Sequence, residues 1–475
     1  MAEVVVIGGG LTGQAAAMLL AADGHHVRVL ERDPAPPAGS AAEAWDSWER
    51  RGVGQFRMLH YFLPRFRQIV EAELPAVAAE LDADGALRRN PFEGMPESMS
   101  GGLRADDARF AVLTARRPVV EAAVARVAAR TDGVEVLRGV AVRGLLTGDA
   151  ATDGVPHVVG VVTEAGDEVR ADLVVDASGR RSALPRLLAD IGARPIAEEH
   201  DDCGFVYYGR HFRSADGSVP PAFGPPLMHH DSVSVLTLPA DNGTWGVGLV
   251  VSADDAPMRP TRDADVWTRT VGSFPLVAHW LDAEPITDIA VMAKIEDRHR
   301  AFVVDGVPVA TGLAPVGDSW ACTNPSVGRG ASIGLLHVVE LRDLLRRTGT
   351  DDATGFAVAW HDATVEAVEP YYRDTVTFDR HRLAEVDAQI AGVPYETDDP
   401  AWVLGQGLGN ASGRDPDLLR ASVEIASLLA RADDVFARPG VVERVRDLGA
   451  AGEPLPGPSR AELLALVAGG RGERT

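Results

Sequence analysis

The sequence predicts an α/β protein in which a parallel-sheet unit carries an inserted antiparallel β-sheet and is followed by C-terminal helices. Three observations predict it. The apolar run 4–8 passes through glycines into an Ala/Leu-rich helical stretch, 14–23, and then into a second apolar run, 26–31. From about Cys203 to Lys294, alternating or apolar segments stand between turns rich in Pro, Gly and Asp. Past Ala353 the apolar spacing is helical, with breaks near 394–400 and 411–417.

The elements follow in order. Strand, tight turn, helix and strand over 4–31 are the start of a βαβ unit, whose right-handed crossover makes the sheet parallel. Residues 46–81 read as helical with a glycine break at 52–54, and 117–131 as an amphipathic helix ending at Asp132-Gly133. Strands are expected at 134–136, 141–146, 157–163 and 173–176. In the inserted region they are expected at 205–212, 232–238 and 244–251, with the alternation of an antiparallel sheet. A buried strand at 307–313 and a long helix at 330–347 return to the first unit. The expected division is 1–200 with 300–347 for a discontinuous two-layer α/β domain, 201–299 for the antiparallel domain, and 348–475 for a helical extension. Residues 449–458 are Pro/Gly-rich, the end 469–475 is expected to fray, and the chain shows no internal repeat.

Composition narrows the function classes. Hydrophobic residues make up 46% of the 475, which suits a packed core and not a disordered chain. Against 46 Lys+Arg stand 69 Asp+Glu, a net charge of −23 that repels phosphate backbones and anionic lipid surfaces. Two cysteines, Cys203 and Cys322, without paired spacing support neither a disulfide framework nor a zinc site. The N-terminal run has no basic flank and enters a strand directly, so it does not read as a signal peptide. No apolar run approaches the roughly 20 residues of a membrane span. The expectation is a cytoplasmic protein that binds no nucleic acid. Lys294 is the one lysine, and the abundance of Ala and Arg points to a GC-rich bacterial coding sequence.

The chemistry starts at Gly8-Gly9-Gly10-Leu11-Thr12-Gly13, a G-x-G-x-x-G between the first strand and the first helix. Gly8 permits the tight turn, Gly10 lets backbone approach a pyrophosphate, and Gly13 packs helix on strand. The helix start, with Leu11 and Thr12, offers free N–H groups and a positive dipole end to phosphate. Glu31, followed by Arg32, closes the second strand where an acid accepts from a ribose 2′-hydroxyl and repels a 2′-phosphate, which disfavours NADP at this first site. This is the Rossmann-type dinucleotide unit.

Two further motifs occur. Gly317-Asp318 is followed by Asn324-Pro325-Ser326-Val327-Gly328-Arg329-Gly330 and then the long helix. In the middle lies Asp172-Leu173-Val174-Val175-Asp176-Ala177-Ser178-Gly179-Arg180-Arg181-Ser182. In this order the three motifs resemble those of the class A, p-hydroxybenzoate hydroxylase-like flavoprotein monooxygenases, and the resemblance covers residues 1–345. It implies FAD as cofactor, with Asp318 accepting from ribityl hydroxyls and Gly328 and Gly330 letting backbone reach the pyrimidine end of the flavin. The start of a helix there stabilises the negative charge of reduced flavin near N1. Arg329 either adds positive charge at that place or is a solvated arginine paired with a surface carboxylate. Arg50 or Arg51, and Arg117, stand where such proteins put FAD-facing arginines, and residues 52–60 are similar to a bacterial branch of FAD-dependent oxidoreductases. In the middle motif Asp176 and Gly179 are separated by Ala177-Ser178, a departure from the family's Asp-Gly pair that leaves open whether NADH, NADPH or a separate reductase is the donor. Arg180 and Arg181 either attract a nucleotide phosphate or cap the sheet edge.

The resemblance implies hydroxylation or epoxidation of a small aromatic or hydrophobic substrate through a flavin C4a-hydroperoxide, with molecular oxygen as co-substrate. A homodimer is an admissible assembly. The expected cofactor-binding set is Gly8, Gly10, Leu11, Thr12, Gly13, Glu31, Arg32, Arg50, Arg117, Asp318, Pro325, Gly328, Arg329 and Gly330. No catalytic residue or metal ligand is assigned. Candidates for touching substrate are Tyr207, Tyr208, His211, His229 and His230, for each of which a core residue is the more common case, together with the better placed His60; Trp320-Ala321 stands where a histidine often follows the Gly-Asp pair. One alternative is an FAD-dependent reductase or dehydrogenase of an unsaturated substrate. A flavin halogenase is disfavoured, because the single lysine lies far from the N-terminal part and no Trp-x-Trp-x-Ile-Pro occurs. A flavin-binding protein without enzymatic activity is disfavoured by the intact Asp318 loop.

Overall fold

The structure, a computed structural model, describes residues 1–450, 452 and 454–469; the expected fraying at 470–475 lies outside the described residues. A five-stranded parallel sheet is formed by β1 (Glu3–Ile7), β2 (His26–Glu31), β3 (Val134–Arg138), β4 (Leu173–Asp176) and β5 (Leu313–Pro315), in the order β5-β4-β1-β2-β3. Val4, Val5 and Val6 of the central strand are buried on both faces, so the strand reads as a continuous apolar run rather than an alternation. Three helices cover one face: α1 (Leu11–Ala22), α2 (Arg117–Ala128) and α3 (Gly330–Thr348). Between the sheet and the other two helices, α1 buries Gly13 through Leu20. That full burial is why its sequence is Ala/Leu-rich without a polar stripe.

The opposite face of the sheet is covered too. An antiparallel meander, Val142–Thr152, Val155–Thr163 and Glu168–Arg170, packs Leu145, Val158 and Val161 against Val5, Leu30 and Val174. The expected two layers are therefore three. The extra layer comes from strands whose partly exposed alternation gave no sign of which sheet they would cover.

The inserted region forms a six-stranded sheet. Its main path runs Leu227–His230, Val233–Pro239, Thr244–Ser252, Phe205–Arg213, with Glu284–Pro285 and Ala290–Met292 both against the last of these. One face rests on Trp245, Trp267, Phe274 and Trp280. The other carries three glycines side by side, Gly209, Gly246 and Gly248, and Leu59 lies in the hollow they leave. A Cβ at any of the three would stand within 3 Å of the Leu59 side chain (2.9, 2.4 and 2.8 Å).

Two expectations are corrected. Residues 46–81 are not one broken helix: helices occupy Ala41–Asp46, Pro64–Glu73 and Pro75–Ala83, and 47–63 runs without regular structure along a cavity. The inward pull on Arg50, described below, and the prolines that start the two later helices account for that. The strand at 307–313 is instead a short hairpin, Val303–Val304 against Val307–Pro308, turned by Asp305-Gly306, and the sheet strand begins only at Leu313.

The C-terminal helices are bound into the rest. α4 (Glu369–Ala391) sends Arg382 to the carbonyls of His230 and Val233. Buried Arg420 grips buried Asp107 through two 2.7 Å bonds. No helix among the described residues is long and apolar enough to cross a membrane.

Candidate functional site: a cradle and chamber along one cavity

The dinucleotide turn is shaped by close approach. Gly8 has φ +101° and runs beside the end of β4, where a Cβ would stand 2.7 Å from the Ala177 carbonyl oxygen. At Gly13 a Cβ would fall 2.0 Å from the Gly8 carbonyl oxygen, so this glycine is packed under the turn and does not face the cavity. Gly10 is the opposite case: nothing lies within 4 Å of its Cβ position, which opens into the cavity at the uncapped start of α1. Leu11 and Thr12 line the same opening, and the Thr12 side chain nests against Gly317 and Gly334. That contact brings the Gly317-Asp318 segment to the head of α1.

Behind the turn lies a buried charge cluster. Glu31 accepts from the backbone N–H of Gly9 and of Asp33, both at 2.8 Å, and from Arg50 at 2.6 Å. Arg50 also donates to Asp33 at 3.1 Å and to Glu121 at 3.0 Å. Burial alone would depress the Arg50 guanidinium, but the Glu121 and Glu31 charges outweigh it and hold its pKa above the ordinary value. Arg117 donates to Glu121 at 2.7 Å and lies 3.1 Å from His60 Nε2. With His60 Nδ1 on the Met58 carbonyl at 2.9 Å, the ring is the neutral Nδ1–H tautomer accepting from Arg117. Burial, then the Arg117 charge, pushes the His60 pKa down to about 3. Arg32 stands at the cavity edge on the Gly52 carbonyl, 3.2 Å away.

Asp318 lines the cavity and makes no hydrogen bond among the described residues; burial raises its pKa, opposed by Arg180 and Arg117. In the loop that follows, Pro325, Gly328, Arg329 and Gly330 also line the cavity. Gly328 turns with φ +67° beneath the Tyr61 carbonyl, 3.3 Å from its Cβ position. The loop is pinned through buried Asn324, which bonds Asp297 on one strand, Asp379 on α4 and the Tyr207 hydroxyl on the antiparallel sheet (2.8, 2.9 and 2.5 Å). Arg329 is not a solvated surface arginine. It reaches Thr375 at 3.1 Å, its Nε is buried without a partner among the described residues, and burial lowers its pKa.

These pieces open on one cavity of about 2220 Å³, running from Gly10 past Asp318 to the antiparallel sheet and the C-terminal helices. That exceeds the roughly 300–1,000 Å³ of a single ligand pocket. Residues 3–77 match the family model described as FAD dependent oxidoreductase. In structure, the chain is similar to PqsL, a probable FAD-dependent monooxygenase from Pseudomonas aeruginosa, at 16% identity and TM-score 0.58 over 82% of this chain and 98% of that one. It is also similar to a flavoprotein/dehydrogenase from Cytophaga hutchinsonii, at 17% identity and TM-score 0.59 over 99% of both chains. The fold is that of an FAD-dependent oxidoreductase. In sequence, Protein Rv3254 of Mycobacterium tuberculosis is 28% identical over 390 residues, 78% of each chain.

The rest of the cavity divides the remaining candidates. Tyr207 and His229 line the cavity, His229 with Nδ1 on Ser234 Oγ at 2.9 Å. Tyr208 and His230 belong to the sheet's other side, against Trp267 and Phe274. His211 is covered by Trp45, ring centroids 4.8 Å apart, and burial takes its pKa down to about 3. Asp176 turns inward, accepting from the Ser178 N–H at 3.0 Å and the Ser182 hydroxyl at 2.5 Å. Arg180 donates to the Glu296 carbonyl at 3.3 Å, whereas Arg181 is exposed at the cavity rim. Sequence reasoning missed Asp33, Glu121, Asn324 and Asp379. Glu121 alone left a signal, an acid on the apolar face of Arg117–Ala128. No His/Cys/Asp/Glu group suited to a metal ion occurs among the described residues.

Proposed function

We propose that this FAD-dependent oxidoreductase is a monooxygenase that hydroxylates or epoxidises an aromatic or other hydrophobic molecule, with NADH or NADPH as donor. The observation that carries the reading is the continuity of the cavity from the dinucleotide turn to an apolar floor of Tyr207, Leu236 and Leu238. The residues fit FAD: Gly10 leaves the space a side chain would fill, the Asp318 carboxylate accepts no hydrogen bond among the described residues, and Arg329 holds an N–H without a partner among them. In this reading the α1 start receives the pyrophosphate. A carboxylate has about four acceptor positions, so Glu31, with three donors bound, keeps one for a ribose hydroxyl. Asp318 holds the ribityl chain, and the 328–330 backbone with the Arg329 charge faces the pyrimidine end. Bound FAD supplies two-electron transfer from the nicotinamide to molecular oxygen. The sheet and the C-terminal helices wall the chamber on the substrate side. The chain divides by this reading into 1–200 with 300–347, 201–299 and 348–475.

One observation favours the dehydrogenase reading instead: Asp176, which by resemblance greets the nicotinamide, is occupied by Ser178 and Ser182. The halogenase reading has no support in the cavity, because Lys294 is exposed on a turn away from it. Visible spectra under anaerobic conditions decide. Bleaching of bound flavin by NADH or NADPH, followed by reoxidation in air with consumption of oxygen and product bearing an oxygen atom, is the expected result. Bound flavin that neither nucleotide reduces moves the assignment to a dehydrogenase, and a colourless chain that takes up no FAD overturns both.

A further inference from the structure

The buried and half-buried arginines of this chain are mostly held by carboxylates, as Arg50, Arg116, Arg126, Arg342 and Arg420 are. Arg89 is an exception. It ends the strand Leu87–Arg89, is half-buried and lines the cavity, and its side chain makes no hydrogen bond or ion pair among the described residues. Among the described residues no carboxylate forms an ion pair with it. Glu93, the acid on the neighbouring turn, is exposed at the cavity edge and forms no ion pair with it.

Tyr61 comes to the same strand pair: the N–H of the next residue, Phe62, donates to Thr114 Oγ1 at 3.2 Å, Thr114 pairs with Leu87 and Val112 with Arg89, and the guanidinium charge bears on the Tyr61 phenol. The Tyr61 hydroxyl likewise makes no hydrogen bond among the described residues, and its ring lines the same cavity. Burial pushes its pKa up to about 12, so it stays a neutral donor. Apolar neighbours that also line the cavity are Val112, the register partner of Arg89, and Leu63, two residues after Tyr61. The Tyr61 carbonyl overhangs the Gly328 turn, so this branch joins the loop assigned above to the flavin.

A guanidinium and a phenol hydroxyl that face one cavity without partners among the described residues are free to donate to a ligand there. A guanidinium fork matches a planar carboxylate. Elsewhere the net charge of −23 repels anions, so the preference is local. We propose that Arg89 and Tyr61 form an anion-binding subsite that takes the acidic group of an otherwise apolar substrate and directs its body toward the Gly328 loop. The inference rests on the proposed function for the cavity being a substrate chamber.

The test titrates the holoenzyme calorimetrically with phenylacetate, 2-naphthoate and octanoate, and with the methyl ester of each. At least one acid is expected to bind about tenfold or more tightly than its ester, a difference of about 1.4 kcal/mol. Arg89→Gln abolishes that preference, Arg89→Lys keeps part of it, and Tyr61→Phe weakens acid binding several-fold. If no acid is favoured over its ester, or if Arg89→Gln leaves the preference intact in a folded, flavin-loaded protein, the subsite is refuted. Flavin content and bleaching by dithionite are read on the same samples. A chain that takes up no flavin contradicts the proposed function, whereas one that holds flavin without discriminating contradicts only the subsite.

Discussion

Replacing Gly10 and Gly13 separately by alanine distinguishes a turn built for a ligand from one built for packing. At Gly10 the backbone sits at φ −79° and ψ −174°, open to any residue, and the added methyl meets nothing within 4 Å. Alanine narrows the unfolded ensemble, worth about 0.4–1 kcal/mol, and replaces a glycine at a helix N-cap, which costs a comparable amount. The apo protein with Gly10→Ala should therefore unfold within about 1 kcal/mol of the wild type. In the proposed reading, however, the methyl occupies the approach of the pyrophosphate. Losing one charge-assisted hydrogen bond of about 1.5–3 kcal/mol weakens FAD by roughly ten- to a hundredfold. At Gly13 the new carbon would lie 2.0 Å from the Gly8 carbonyl oxygen, so strand and helix must part by about an ångström. Overpacking of that kind costs about 3 kcal/mol or more with or without cofactor. Urea unfolding of both variants in apo form, with flavin titration followed by fluorescence quenching, reads the two effects. The reasoning is refuted if Gly10→Ala binds FAD like the wild type, or if it is as destabilised as Gly13→Ala.

Removing Arg50 as Arg50→Met leaves Glu31, Asp33 and Glu121 facing one another in a buried cluster, and should cost about 3–5 kcal/mol in urea unfolding. Adding Glu121→Gln should return part of that loss, and equal stability of the single and double variants would contradict the cluster. His211 supplies a pH test: with a folded pKa near 3 against 6.5 unfolded, the unfolded chain holds a proton that the folded chain refuses. Stability therefore falls as pH drops below 6.5, and His211→Phe should remove about 2 kcal/mol of the loss between pH 7 and 5. An unchanged pH slope in the urea midpoint would show that the ring is accessible to protons.

Much of this was legible in the sequence because short-range signals coincide with the chemistry. The parallel sheet, its first helix and the antiparallel insertion follow from apolar runs and turn residues, and the glycine spacing marks the turn where Gly10 meets open space. The Asp318 loop is recognisable because its glycines and proline are fixed by local backbone needs. What escaped was set by pairing across long separations. Arg50 meets Glu121 over 71 residues, and Asn324 meets Tyr207 over 117. Nothing local in either partner announces the other. The same cause misplaced the segment 47–63: Arg50 is drawn into the buried charge cluster and Leu59 into the glycine hollow of the antiparallel sheet, and the chain between them runs through successive turns at 50–53, 53–56 and 55–58.

The seating of Leu59 over Gly209, Gly246 and Gly248 limits how such a chamber can be changed. A substitution at any of the three glycines acts first on the segment that carries His60 and Tyr61, so an attempt to reshape the floor there would disturb the cofactor side before it altered the choice of substrate. Variation in substrate preference is freer at Leu236 and Leu238, whose side chains already fill the cavity wall. Four positions scattered from 59 to 248 are thus coupled sterically, and a side chain gained at one of the glycines requires the leucine to move or to be replaced.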